Sequence, residues 1–156
     1  MNESAKVRLV YVNQEYLDKL RLVETKVSTK NRPYVFLGIT IGEHLYCIPL
    51  TSQTNRARAK RNLRKRPNTF TDNVIGPKGF AIAVLLYGNM IPVREDVIID
   101  CEINGGILKD EWIFIRKNVD KIVEKAKRVY LSRTSGRNPF ANLWCCDFKK
   151  LEECIG

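Results

Sequence analysis

Histidine occurs once in this chain, at position 44, and no pair of cysteines is spaced C-x-x-C. A closed zinc site needs four ligands at workable spacing, so a structural zinc module is excluded. The five cysteines, Cys47, Cys101, Cys145, Cys146 and Cys154, are odd in number and suit free thiols in a reducing compartment rather than a disulfide framework. Of the adjacent pair, one thiol is expected to be buried and one partly exposed. Long apolar runs are missing as well. The longest, Phe80 to Tyr87, is far too short to cross a bilayer. The first residues, Met1-Asn2-Glu3-Ser4, lead straight into an alternating segment with no sign of a signal peptide, so the expected location is the cytoplasm. Acids are scarce too: 17 against 27 lysines and arginines, a net charge of +10. Such an excess points to nucleic acid, an anionic membrane surface or an acidic protein.

What is present reads as an ordinary globular protein, 44% hydrophobic and 28% charged over 156 residues, and we take residues 1–156 as a single domain. Val7 to Val12 is β-branched and partly alternating, a first strand. Asn13 or Gln14 opens a short helix with Tyr16, Leu17, Leu20 and Leu22 as its apolar positions. A polar break at residues 28–33 precedes two apolar runs, Tyr34 to Ile41 and Leu45 to Leu50, joined at Gly42-Glu43-His44 as a hairpin. A second hairpin-like group runs from Phe80 through Gly88-Asn89 to Val93, and Val97 to Ile103 adds a further strand. From Lys109 the period changes. Trp112, Ile115, Val119, Ile122, Ala126 and Tyr130 recur at spacings of three and four, one face of an amphipathic helix fraying near residues 132–136. Asp147 is placed to cap a short last helix. The expected class is α+β: a compact, strongly curved antiparallel sheet with packed helices.

Distribution narrows the choice of partner. Between Thr54 and Asn68 stand Arg56, Arg58, Lys60, Arg61, Arg64, Lys65 and Arg66, with no acid among them. Burial would strand these charges, so the segment belongs at the surface. Dense cations repel one another unless a polyanion is near, and phosphate neutralisation with counterion release is their natural use. A merely solubilising loop is the plain alternative. A membrane-surface helix would need a bulky apolar face, and this stretch has Leu63 alone. RNA or DNA is favoured.

Metal-dependent strand cleavage wants clustered carboxylates. The nearest group, Glu95, Asp96, Asp100 and Glu102, is better read as partners for the many basic residues. Thr51-Ser52 remains, at a strand end directly before the basic stretch. Hydroxyls there can orient a phosphate or donate to its developing charge, with a cation beside them; alone they are also ordinary strand-end residues. His44, at a hairpin tip, reads as a surface or structural residue. Two rival readings share the basic segment, a non-catalytic RNA- or DNA-binding regulator and a ribosome-associated structural protein.

Several segments taken together carry a resemblance. Arg32-Pro33-Tyr34-Val35, Ile48-Pro49-Leu50-Thr51-Ser52 and Asn89-Met90-Ile91-Pro92-Val93 occur in that order. Glu15-Tyr16-Leu17 precedes them, and Cys146-Asp147-Phe148 with Leu151-Glu152-Glu153 follows. The set resembles, nearly end to end, the ToxN/AbiQ family, the toxins of type III toxin–antitoxin systems that also act in phage abortive infection. The resemblance implies a fold similar to the Kid/MazF toxins. It also implies a metal-independent endoribonuclease with no cofactor, leaving 2′,3′-cyclic phosphate and 5′-hydroxyl ends. The implied partners are substrate RNA and a small pseudoknot RNA antitoxin, cut from a repeat transcript by the toxin and closed with it into a mixed assembly. By position, Thr51 and Ser52 match the family's active-site hydroxyls. Arg32 stands where some members have a lysine; arginine is a good phosphate clamp but a poor proton donor or acceptor. Tyr16 and Tyr34 are implied candidates for stacking on bases, with Phe148 more at home in a core.

Overall fold

A computed structural model of the chain describes residues 7–29, 32–52, 68–103 and 108–155. Seven strands, all antiparallel to their neighbours, make the sheet: β1 (Arg8–Val12), β2 (Tyr34–Ile41), β3 (His44–Ser52), β4 (Thr71–Ile75), β5 (Ala81–Leu86), β6 (Ile91–Val93) and β7 (Ile98–Asp100). They run in the order β4-β5-β3-β2-β1-β7, with β6 also paired to β3. Among the described residues the helices are α1 (Gln14–Arg21), α2 (Lys109–Lys117), α3 (Val119–Thr134), α4 (Pro139–Trp144) and α5 (Phe148–Ile155). The expected α+β class with an antiparallel sheet is what the chain forms.

Local chemistry accounts for the elements. Asn13 caps α1, its side chain accepting from the Tyr16 amide at 3.0 Å. Gly42, at φ +63°, turns β2 into β3, and the two strands pair from Tyr34↔Pro49 to Ile41↔His44. A bulge between Phe36 and Thr40, with Gly38 at φ +70°, bends β2. Asp147 accepts from the Lys150 amide at 3.2 Å and starts α5, as the sequence indicates.

The second expected hairpin does not form. Residues Tyr87–Asn89 make a 3-10 turn rather than a tight two-residue turn, so β5 and β6 leave each other and pair successively along β3. β6 takes the first half of β3 (Leu45↔Val93 to Cys47↔Ile91) and β5 the second half (Leu50↔Leu85 to Ser52↔Ala83). The single long helix expected from Lys109 is two. Asn118 breaks it, its side-chain amide donating to the Phe114 carbonyl at 2.8 Å, and the apolar phase continues across the break because Ile115, Val119 and Ile122 keep their spacing. Cys145 and Cys146 are both buried, not one of each.

The helices close the core with aromatic and polar contacts. Tyr46, Tyr130 and Phe148 meet with ring centroids 5.6 to 5.9 Å apart. The buried Glu152 carboxylate accepts from Tyr46 Oη at 2.6 Å and Tyr130 Oη at 2.8 Å, tying α5 to β3 and α3. His44 Nδ1 lies 3.8 Å from the same carboxylate, so the histidine belongs to this structural cluster. Arg8 engages Asp100 at 3.0 Å and Arg94 engages Asp96 at 3.1 Å, the partner role expected for those acids.

Candidate active site

β3 carries Thr51 and Ser52 at its far end, where β5 has replaced β6 as neighbour. On the other side, the Tyr34↔Pro49 register brings the segment before β2 alongside. The Leu50 amide donates to the Pro33 carbonyl at 2.9 Å and extends the ladder past the strand's formal start. Arg32 is thereby set beside Thr51, and its Nη1 donates to Thr51 Oγ1 at 2.8 Å. Two residues separated by nineteen positions, singled out for different reasons, are in contact. Because the threonine oxygen accepts this bond, its own hydroxyl proton remains to be donated elsewhere.

Arg32 borders an open cleft of about 430 Å³. Residues 25–29 form one wall, Pro49 and Leu86 the floor from β3 and β5, and Asn89, Leu143 and Trp144 the far side. The wall is fastened from below. Glu24, buried, accepts from the Lys26 amide at 3.1 Å with one carboxylate oxygen and from the Asp147 amide at 2.8 Å with the other. Asn89 donates to the Lys26 carbonyl at 2.9 Å. Gly88 passes so close to α4 that a Cβ there would meet the Trp144 carbonyl at 3.1 Å and Cys145 Sγ at 3.3 Å. The Lys26 ammonium lies 3.7 Å from Glu24 and adds a second cation to the cleft.

Among the described residues the cleft is lined by two cations, by the hydroxyl residues Thr25, Ser28 and Thr29 and by Asn89, and Arg32 links it to Thr51, which does not itself line it. That is a phosphate-binding set. Tyr34, two positions after Arg32, is fully buried and does not line the cleft. Burial pushes its phenol up to about 12, against the opposing pull of Ser28 and Arg32, so it stays protonated at neutral pH.

The two tyrosines do not serve as stacking platforms. Tyr34 is fully enclosed, and Tyr16 packs in the core with its hydroxyl donating to the Pro92 carbonyl at 2.6 Å. A base needs an exposed ring face, and neither ring offers one. Ser52 lies in β3 opposite Ala83, but its side chain falls outside the described residues. So does the basic segment, Arg56, Arg58, Lys60, Arg61, Arg64, Lys65 and Arg66. Sequence reasoning missed Lys26 and Asn89. Asn89 sits inside one of the resemblance segments, which was the only available signal for it.

Comparison with known proteins shows the chain's relatives. A family model described as "Toxin ToxN, type III toxin-antitoxin system" matches residues 8–156. An endoribonuclease ToxN of Bacillus thuringiensis subsp. kurstaki is 30% identical over 161 aligned positions, covering 91% of this chain and 79% of that one. A solved structure from work on toxin inhibition by a non-coding RNA pseudoknot in type III systems superposes with a TM-score of 0.83 at 29% identity, covering 96% of each chain. The structure of AbiQ, a lactococcal anti-phage endoribonuclease, gives a TM-score of 0.85 over 95% of this chain and 94% of its own; at 24% identity it speaks for the fold.

Proposed function

Since the chain belongs to the ToxN family of type III toxin–antitoxin toxins, we propose that it is an endoribonuclease whose active site is the Arg32–Thr51 cleft, and that it works in the cytoplasm. The chemistry is transesterification within the RNA. The 2′-oxygen attacks the adjacent phosphorus and the bond to the 5′-oxygen breaks. The products are a 2′,3′-cyclic phosphate and a 5′-hydroxyl, with the proton lost from the 2′-oxygen balanced by one gained at the leaving oxygen. On this reading no metal takes part, and the charge on the phosphorane is met by Arg32 and Thr51.

Arg32 is charged at every working pH, so its part is charge stabilisation rather than proton transfer. Thr51, its oxygen held by Arg32, donates its proton to a phosphate oxygen, and Ser52 contacts the scissile phosphate or the 2′-hydroxyl. The segment from Arg56 to Arg66 holds the RNA backbone. The regulator is an RNA of pseudoknot form that the chain itself cuts from a repeat transcript and that closes with it into a toxin–RNA assembly. The observation that carries this reading is the 2.8 Å bond from Arg32 to Thr51 at the cleft's edge.

The test uses the purified chain and a long RNA in excess chelator. Fragments with 5′-hydroxyl ends are expected from the wild type, and Ser52→Ala is expected to abolish both cleavage and growth arrest on expression. Intact RNA with the wild type, or equal toxicity from both forms, would discard the site.

A further inference from the structure

From Lys125 to Cys146 the chain has no carboxylate and five cations, a second acid-free basic stretch besides the one before β4. Lys125 turns inward to Asp72 at 2.7 Å, while Lys127, Arg128 and Arg137 are exposed. Within this stretch lies α4, six residues long and rigidly mounted. Asn138 caps it by accepting from the Phe140 and Ala141 amides at 3.0 and 3.2 Å. Ala141 is buried beneath it, and Asn142 is bonded on both sides, to Arg133 at 3.3 Å and to the Gly136 carbonyl at 3.1 Å.

So firm a mount makes its outer face hard to explain as packing. Phe140 and Leu143 are each 63% exposed. Each leaves most of its apolar surface in water, twice on one short helix, where burial would be favourable. The two stand three residues apart, hence on one side of the helix. Leu143 also lines the cleft, together with Trp144, so the apolar face adjoins the cleft that Arg32 and Lys26 line.

We propose that Phe140 and Leu143 form a base-stacking platform for single-stranded RNA, receiving nucleotides next to the scissile one, with Arg137 contacting the backbone beside them. The inference rests on the RNA-cleaving reading of the cleft and adds to it the surface that takes the flanking bases. A single strand fits because it presents apolar ring faces together with anionic phosphates, and the RNA-cleaving reading of the cleft makes that strand RNA. A second copy of this chain would bring its own +10 charge against the same acid-free stretch. A duplex hides its bases in its own stack. A fixed aromatic ring serves any base equally, since each has a π-face.

The probe is a fluorescein-labelled 2′-O-methyl oligouridylate, which cannot be cleaved, titrated with the full chain and followed by anisotropy. Phe140→Ala is expected to weaken binding roughly five- to hundred-fold, the range for loss of one stacked base. Phe140→Tyr should bind as the wild type does, and so should Ile99→Ala, a control at another exposed apolar residue on β7. Arg137→Ala should lower the slope of log affinity against log salt by about 0.7, one phosphate contact, whereas Phe140→Ala should leave that slope unchanged. Melting curves of wild type and Phe140→Ala are expected to coincide. Wild-type affinity in Phe140→Ala, with wild-type RNA cleavage intact, overturns the platform alone. An equal loss on single-stranded and duplex RNA also overturns it, since the ring would then not be stacking. A change in self-association with unchanged RNA affinity replaces it by a protein contact. Failure of the wild type to bind or cut any RNA removes the cleft reading and the platform together.

Discussion

Replacing Arg32 by alanine removes the donor 2.8 Å from Thr51 Oγ1 and, among the described residues, one of the two cations bordering the cleft. A fully preorganised donor to a developing oxyanion is worth roughly 10²–10³ in rate. Arg32 is only half-buried and the cleft is open, so the lower end applies: about a hundred-fold loss in the cleavage step. Thr51→Val keeps the β-branched shape that the strand favours and removes only the hydroxyl, a neutral donor worth about ten-fold. If the two act as one unit on one phosphate, Thr51 is oriented by Arg32, and losing the arginine already forfeits most of the threonine's effect. The double variant should then fall about as far as Arg32→Ala alone, with a coupling of roughly 1 kcal/mol. Arg32→Lys should lie between, keeping the charge but losing the fork. The assay is single-turnover cleavage of an end-labelled RNA with chelator present. Strict multiplication of the single effects, about a thousand-fold in the double variant, would show that the contact has no part in the chemistry. So would an Arg32→Ala rate within three-fold of wild type.

Glu24 should act by position: Glu24→Ala frees residues 25–29 from Asp147 and is expected to raise KM for RNA more than it lowers kcat, while Glu24→Gln, which keeps a carbonyl acceptor, restores much of the KM. Equal damage from both would mean that the charge facing Lys26 matters instead. Glu152→Ala leaves two buried phenols without their acceptor, a loss of about 3 kcal/mol, and should lower Tm by roughly 6–12 °C in a chain of this size. Burial raises the thiols of Cys47, Cys101, Cys145 and Cys146, that of Cys101 to about 11 and of Cys145 to about 12. Their protonated form therefore persists through pH 8–9, and a thiolate-selective reagent should label the native chain rapidly at Cys154 only, the others following on unfolding.

The first half of the sheet was legible because its information is local. Alternation and β-branching mark β1 to β3, and Gly42 marks their turn. The second half was not, since whether β5 pairs with β6 or both pair with β3 depends on partners some forty positions away. A two-residue turn and a 3-10 turn look alike in Gly88-Asn89. The break at Asn118 escaped because periodicity reports which face is buried, and that face runs unbroken from Ile115 to Ile122. α4 is too short to show a period at all. In the site, Thr51 stood out by its place before the cations, and Arg32 by its place in the resemblance. Lys26 could not stand out, because what brings it to the cleft is Glu24 bound to Asp147 and Asn89 bound to its carbonyl. The aromatics misled for a related reason: a tyrosine beside a site residue in sequence can point into the core, as Tyr34 does.

These long-range ties bear on how the cleft, on the reading proposed above, can stabilise charge without a metal. A divalent ion would bring its own field; fixed dipoles and side chains work only if they are already aimed when the phosphorane forms. Here the aiming comes from hydrogen bonds to main-chain carbonyls rather than from the reacting groups themselves. Leu50 to Pro33 sets Arg32, Asn89 to Lys26 sets one wall, and the Cys146 amide, donating to the Gly88 carbonyl at 2.7 Å, draws α4 against the turn that carries Asn89. A methyl group on Gly88 would press on the Trp144 carbonyl and Cys145 Sγ and push α4 from that turn. Gly88→Ala should therefore slow cleavage although Arg32 and Thr51 keep their contact. If cleavage instead stays at the wild-type rate while the chain is measurably destabilised, the far wall is packing alone, and the chemistry depends only on the β2–β3 side.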